Sequence, residues 1–318
     1  MSVSKLQQVG LKVGGTTAYA TASTTFTRGL LVRTFDVNPT DGAAPVSEVR
    51  SKFGPNRVGL PMIDFDAAIT FPLDVGDNAS GNIGDFLNGV FGTDAVSGTG
   101  PYLHTFSRND TALPKYLNLY SDKDIDNKQY TGFRTEQVKF TIDAGSPEIG
   151  VEISGVFKDE SEYAGAQTLT YSGSPLLLPS QATTLTLAGN AVTTFSKIEI
   201  TVKRTLERFH AVGSSRRISN AYSKDFSIDI ACEGLDFTAE TERDKFIAGT
   251  STAFNLILTD SNANYLRFNL PTVYYQSWKG PDINDSELLK VNLVGFATGD
   301  SYNAYLQNMR ATGYDAEV

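Results

Sequence analysis

Apolar and polar residues alternate along most of this chain, and a period of two marks half-buried strands. In "FSIDIA", Phe226, Ile228 and Ile230 interleave with Ser227, Asp229 and Ala231; in "MIDFDAAITF", Ile63 and Phe65 interleave with Asp64 and Asp66. The same reading predicts strands near 29–38, 61–73, 102–107, 115–121, 130–143 and 148–158, then near 195–212, 222–237, 253–259, 264–278 and 288–298. Two short stretches switch to helical spacing. Ile83, Phe86, Leu87, Val90 and Phe91 predict a helix over 82–91 stopped by Gly92, and the acids of "TAETERDKFIAG" open a second over 240–248.

These elements fall in the same order twice. Each half opens with a long strand, crosses a polar loop carrying arginines (Arg50 and Arg57, then Arg216 and Arg217) and returns as a second long strand. A helix, two strands and a final pair follow. The order implies a mainly-β chain, a sandwich with a flanking short helix in tandem duplicate, although unrelated neighbouring strands can produce the same sequence of elements. The expected division is a flexible N-terminal arm at 1–27, a first β domain at 28–163, a linker with its own small hairpin at 164–194 and a second β domain at 195–318. "LKVGGTTAY" lacks the lysine and the strand-to-helix setting of a phosphate loop and reads as flexible backbone.

Composition agrees with strands. With 318 residues, 28 glycines, 19 phenylalanines and 14 tyrosines, the chain favours sheets and turns and has ample length for a core. A net charge of -9 disfavours binding to nucleic acid or anionic membrane. No basic stretch followed by an apolar run and no long apolar segment occurs, so synthesis in the cytosol without export or membrane insertion is expected. The one cysteine, Cys232, sits in an alternating strand and reads as a small buried hydrophobe.

Candidate chemistry is sparse. The two histidines, His104 and His210, lack the spacing of a metal site, and no metal or cofactor is expected. "DKDIDNKQ" lacks the glycine and terminal glutamate of a calcium loop and reads as a hairpin tip. No catalytic constellation emerges. "GSSRR" in the loop of a long hairpin fits an intersubunit salt-bridge donor through Arg216 and Arg217 better than a phosphate site.

The segment "HTFSRNDTALPKYLNLY...QYTGFRTEQVKFTIDAGSPEIGVEISGVF" resembles the major tail tube proteins of long-tailed bacteriophages. The part from Lys197 to Ala297, with "YSKDFSIDI", "LRFNLPTVYYQSWKGPDIND" and "KVNLVGFA", is similar to the closing half of the same family. That resemblance covers about Gly29 to Ala297 and rests on order and spacing. It implies a β-sandwich flanked by a helix, subunits closing into rings whose hairpins form a continuous inner barrel, and rings stacking into a virion tube that conducts DNA. A duplicated subunit implies three chains per ring with pseudo-sixfold symmetry, a hexamer being the alternative, and leans toward the non-contractile siphovirus type. Partners implied are copies of the chain and other tail proteins such as tape measure, terminator and tip.

Lumen-facing candidates are Asp64, Asp66 and Asp229, because alternation puts them opposite the core; the alternative is that they solvate an outer face. An acidic wall repels passing DNA, whereas a basic one gains affinity by counterion release and stalls it. A different class remains open: a non-polymerising binding module of a virion or cell surface, with Tyr274, Tyr275 and Trp278 stacking on sugars.

Overall fold

A computed structural model gives the fold. It describes residues 8–13, 22–23, 25–40, 44–46, 57–59, 62–75, 80–110, 114–122, 127–165, 167–173, 176–179, 183–192, 195–211, 216–236, 241–279, 290–299 and 302–314. The protein is mainly β. The first half carries β1 (Gln8–Val13), β2 (Arg28–Leu30), β3 (Thr34–Thr40), the small pair β4 (Ala44–Val46) and β5 (Arg57–Gly59), and β6 (Asp64–Pro72). Helix α1 (Ile83–Phe91) follows, then β7 (Gly92–Ser97), β8 (Tyr102–Arg108), β9 (Leu117–Asp122), β10 (Lys128–Asp143), β11 (Gly150–Phe157) and β12 (Asp159–Glu162). The second half carries β13 (Thr183–Leu187), β14 (Asn190–Val192), β15 (Lys197–Phe209), β16 (Asn220–Asp236), α2 (Thr241–Ala248), β17 (Thr252–Thr259), β18 (Tyr265–Lys279), β19 (Lys290–Ala297) and β20 (Asn303–Asn308).

Two long strands organise the pairings. The N-terminal part of β10 lies between β9 and β12, with β1 and β2 beyond β9; its C-terminal part lies between β11 and β15. β18 is divided in the same way: its first part lies between β17 and β20, with β13 and β14 beyond β17, and its last part pairs with β19. The second layer of the first half therefore runs β3-β6-β11-β10, and that of the second runs β15-β16-β19-β18. The order of pairing is the same in both halves. β10 and β15 join the two layers into one eight-strand antiparallel sheet with β3 at one end and the last part of β18 at the other.

The correspondence extends to irregularities. β10 has a bulge between Thr135 and Gln137 opposite β11, and β18 has one between Tyr275 and Ser277 opposite β19. Facing each bulge is a glycine, Gly155 or Gly295. A Cβ on Gly155 would come within 2.2 Å of the Arg134 carbonyl oxygen, and one on Gly295 within 2.9 Å of that of Tyr274. Close backbone approach at a bulge is what a strand glycine permits.

Sequence periodicity located most of these elements, and the differences have reasons. Residues 8–13, expected within a flexible arm, form a strand because Val9, Leu11 and Val13 bury one face against β9. "LKVGGTTAY" therefore begins inside β1 and is not flexible backbone over Leu11–Val13. In 164–194, Leu185 and Leu187 dock β13 on β17 and turn back into β14. β1 and β13 thus occupy corresponding places, outside β9 and β17. Of the 122–129 run, Asp122 ends β9 and Lys128 and Gln129 begin β10, while 123–126 lie outside the described residues.

Helices α1 and α2 differ in what covers them. Asn82 caps α1 and Asp85 closes the capping box, while Phe86 packs between Phe71 and Phe133 at centroid distances of 5.7 and 6.2 Å. Every residue of α1 is buried. α2 is half exposed, and Ile247 leaves 65% of its surface open.

Candidate functional site

Alternation gives the eight-strand sheet one buried face and one open face. Phe65, Ile69, Val138, Phe140, Ile153, Ile198, Ile200, Ile228 and Ile230 line the buried face. On the open face, the register sets Thr70, Glu152, Lys139, Thr201, Asp229 and Phe296 side by side across six strands. The adjacent row holds Thr141, Glu199, Ala231, Val294 and Ser277. Asp36, Asp64, Asp66, Asp143 and Glu233 continue the same face, so its acids outnumber its bases, which include Lys139, Lys197, Lys203, Lys279 and the Arg208 that pairs with Asp64 and Asp66.

The charges are concentrated where the two halves meet. Lys139 Nζ on β10 lies 3.2 Å from Glu199 Oε1 on β15, and Lys197 Nζ lies 2.9 Å from the same oxygen. Partial burial pushes the Glu199 carboxyl up, but hydrogen bonds and charge from the two lysines outweigh it and hold the group below the usual carboxylate range. Lys197 is correspondingly raised, chiefly by its hydrogen bond to Glu199. Asp229 shifts the other way, because desolvation outweighs the attraction of Lys203.

Asp64 and Asp66 do occupy the side of β6 opposite its buried residues, and Asp229 stands opposite the buried side of β16. Their surroundings differ. Arg208 on β15 bridges both Asp64 and Asp66, and His210 Nε2 sits 3.1 Å from Asp64 Oδ1. Asp229 has no ion pair among the described residues. Much of the negative charge of the first two is balanced locally, which sequence spacing gave no means of seeing.

Arg216 and Arg217 lie in the loop between β15 and β16. The Ile63 N–H donates to the Arg216 carbonyl at 2.7 Å, and the Arg217 guanidinium pairs with Asp159. Both contacts are within the chain and tie the hairpin tip to the entry of β6 and to β12. The aromatic set also divides: Tyr275 and Trp278 pack against the core, while Tyr274 stacks on Phe296 at 6.2 Å. Tyr275 donates to Glu242 of α2.

His104 is buried, 2.9 Å from Asp94 and 2.9 Å from the Arg310 carbonyl, a structural bridge between β8 and the chain end. Burial pushes the Cys232 thiol up to about 12, so it is inert. Among the described residues no group of His, Cys, Asp or Glu could hold a metal ion, and no helix is long and apolar enough to cross a membrane. A shallow cleft of about 360 Å³ lies on the open face beside Arg33, Glu148 and Glu152, with Arg33 and Glu148 paired across it.

An extended polar sheet face whose end strands, β3 and the last part of β18, each pair on one side among the described residues suits a component that assembles. The family model of the phage tail tube protein matches residues 7–293. The chain belongs to the phage tail tube protein family. This family match spans both halves and the join between them. Among solved structures, the chain is similar to one from the cryo-EM structure of the anti-feeding prophage baseplate, 6-fold symmetrised, at 12% identity over 39% of this chain and 91% of that one, TM-score 0.31. It is also similar to Hcp1 from Flavobacterium johnsoniae, at 17% identity over 38% of this chain and 97% of that one, TM-score 0.22. Scores this low carry no argument of their own. No curated protein matches. Membership makes the chain a structural tail tube protein.

Proposed function

We propose that this protein polymerises into stacked rings that form the tail tube of a phage virion, a conduit through which DNA passes without specific binding. The two halves are read as tandem units, and three chains per ring supply six units in pseudo-sixfold arrangement. The observation that supports the reading is the β10–β15 join, where a sheet of the first half continues into one of the second by strand pairing. Among the described residues β3 and the last part of β18 each pair on one side only; such edges are hazards in a solitary protein and are removed by closure between subunits.

The open face is the proposed lumen wall. Asp229, with Glu152 and Asp36, gives it an acidic sign, while Asp64 and Asp66 contribute less because Arg208 balances them. An acidic wall keeps a polyanion from adsorbing. Copies of the chain, then tape measure, terminator and tip proteins, are the partners proposed. Its unit duplication leans toward a non-contractile tail of the siphovirus type.

Electron microscopy of purified protein at high concentration, with mass measurement of discrete rings, tests this. Hollow tubes or rings of three chains are expected. Rings of six chains would keep the tube and sink the pseudo-sixfold trimer; a monomer under every condition would sink the tube.

A further inference from the structure

We infer that successive chains join through β3 of one copy and the last part of β18 of the next, in the register that β15 and β10 already use within the chain. The inference rests on the ring reading above and adds which edges meet, in what register, and which charges hold them.

It follows from the matched pairings. Opposite β11, the bulge places Thr135, Gln137, Val138 and Lys139 of β10 where Tyr275, Ser277, Trp278 and Lys279 of β18 stand opposite β19. On β15, Glu199, Ile200 and Thr201 stand opposite β16 as Asp36, Val37 and Asn38 of β3 stand opposite β6. Within the chain, Gln137 faces Lys203, Val138 faces Val202 and Lys139 faces Thr201. Transferring that register sets Ser277 opposite Thr40 of the next copy, Trp278 opposite its Pro39 and Lys279 opposite its Asn38.

Charge supports the transfer independently. Lys139 reaches diagonally across the internal join to Glu199 at 3.2 Å. The residues in the corresponding places are Lys279 and Asp36, again a lysine and an acid. Both are exposed, and neither has an ion pair among the described residues. The edges are free as well: β3 pairs only with β6, and β18 beyond Val273 only with β19, among the described residues. Pro39, which lacks an N–H, is tolerated on an edge strand and costs at most one ladder bond at a join.

Two measurements on the full chain test the register. Antiparallel partners stand about 4.5–5.5 Å apart between Cα atoms, within disulfide reach. Thr40→Cys with Ser277→Cys should form covalent multimers on mild oxidation of assembled rings, whereas Pro39→Cys with Ser277→Cys should not, because a one-residue shift turns the side chain to the other face. Lys279→Glu or Asp36→Lys alone should raise the protein concentration needed for assembly roughly tenfold at low salt, and the double reversal should restore it. Circular dichroism checks that these surface variants fold. Rings that form but cross-link only out of register, or charge reversals without rescue, would overturn the inference while leaving the tube intact. Absence of rings from the unmodified protein would overturn both.

Discussion

The Arg204 guanidinium donates to the Phe91 carbonyl at 2.8 Å, so a residue of β15 closes the C-terminal end of α1, a helix of the other half. It donates also to the Val90 and Asn109 carbonyls and to Ser223, and stands 5.6 Å from the Phe226 ring. Helix ends leave carbonyls without intrahelical partners, and a buried cation there meets both the hydrogen-bond need and the helix dipole. Burial lowers the Arg204 pKa.

Arg204→Met keeps much of the bulk and removes the donors. Removing the donors to the Val90, Phe91 and Asn109 carbonyls should cost about 2–4 kcal/mol, read in urea unfolding of the protein; the Phe91 carbonyl keeps the Asn109 N–H. A variant as stable as the unmodified chain would show that water replaces the cap.

Arg28 and Asp85 make a bidentate buried pair, with nitrogen–oxygen distances of 2.9 and 2.6 Å. Arg28 also donates to the Ser80 carbonyl, so β2, the approach to α1 and the helix itself depend on one guanidinium. Arg28→Met leaves the buried Asp85 carboxylate only the Asn82 N–H and Arg310 at 3.8 Å, and should destabilise by about 3 kcal/mol; adding Asp85→Asn should recover part of that loss in a double-mutant cycle.

Gly155 and Gly295 face the bulges of β10 and β18 with no room for a Cβ. Gly155→Ala should cost about 1–3 kcal/mol, and more than Gly295→Ala, because the backbone contact it meets is shorter. Thermal melting of the two variants distinguishes them.

The Lys139–Glu199 contact carries a pH signature. Because the folded pKa of Glu199 lies below its unfolded value, the contribution is present above the usual carboxylate pKa and is lost as pH falls through the folded value. Lys139→Met should lower stability at neutral pH by up to about 1 kcal/mol, given partial exposure, and the difference from the unmodified chain should vanish in acid. Asp229 has the opposite sign: its raised pKa makes the ionised form slightly unfavourable in the folded chain, so Asp229→Asn should stabilise at neutral pH and not in acid.

What could be read in advance differs between elements. Period two placed β6, β10, β11, β16, β17 and β18 within a few residues, and the spacing of Ile83, Phe86, Leu87 and Val90 placed α1. β7, β12 and β20 are short or partly polar and write too little periodicity to register. β1 was missed because its short alternation of Val9, Leu11 and Val13 runs into Gly14, Gly15, Thr16 and Thr17, and pairing with β9 and β2 makes it a strand. Asp64, Asp66 and Asp229 were legible as residues opposite a core, yet the balancing of the first two by Arg208 comes from residues more than a hundred positions away.

The sequence by itself therefore determined which residues turn inward, since burial of every second side chain is local to a strand. It also determined the acidic sign and the order of elements in each half. Only the tertiary structure decided which strands stand side by side, because pairing joins residues distant along the chain through backbone groups that every residue carries. The divided roles of β10 and β18, the β10–β15 join and the one-sided pairing of β3 and of the last part of β18 among the described residues all belong to that second kind, and with them the surface proposed for assembly.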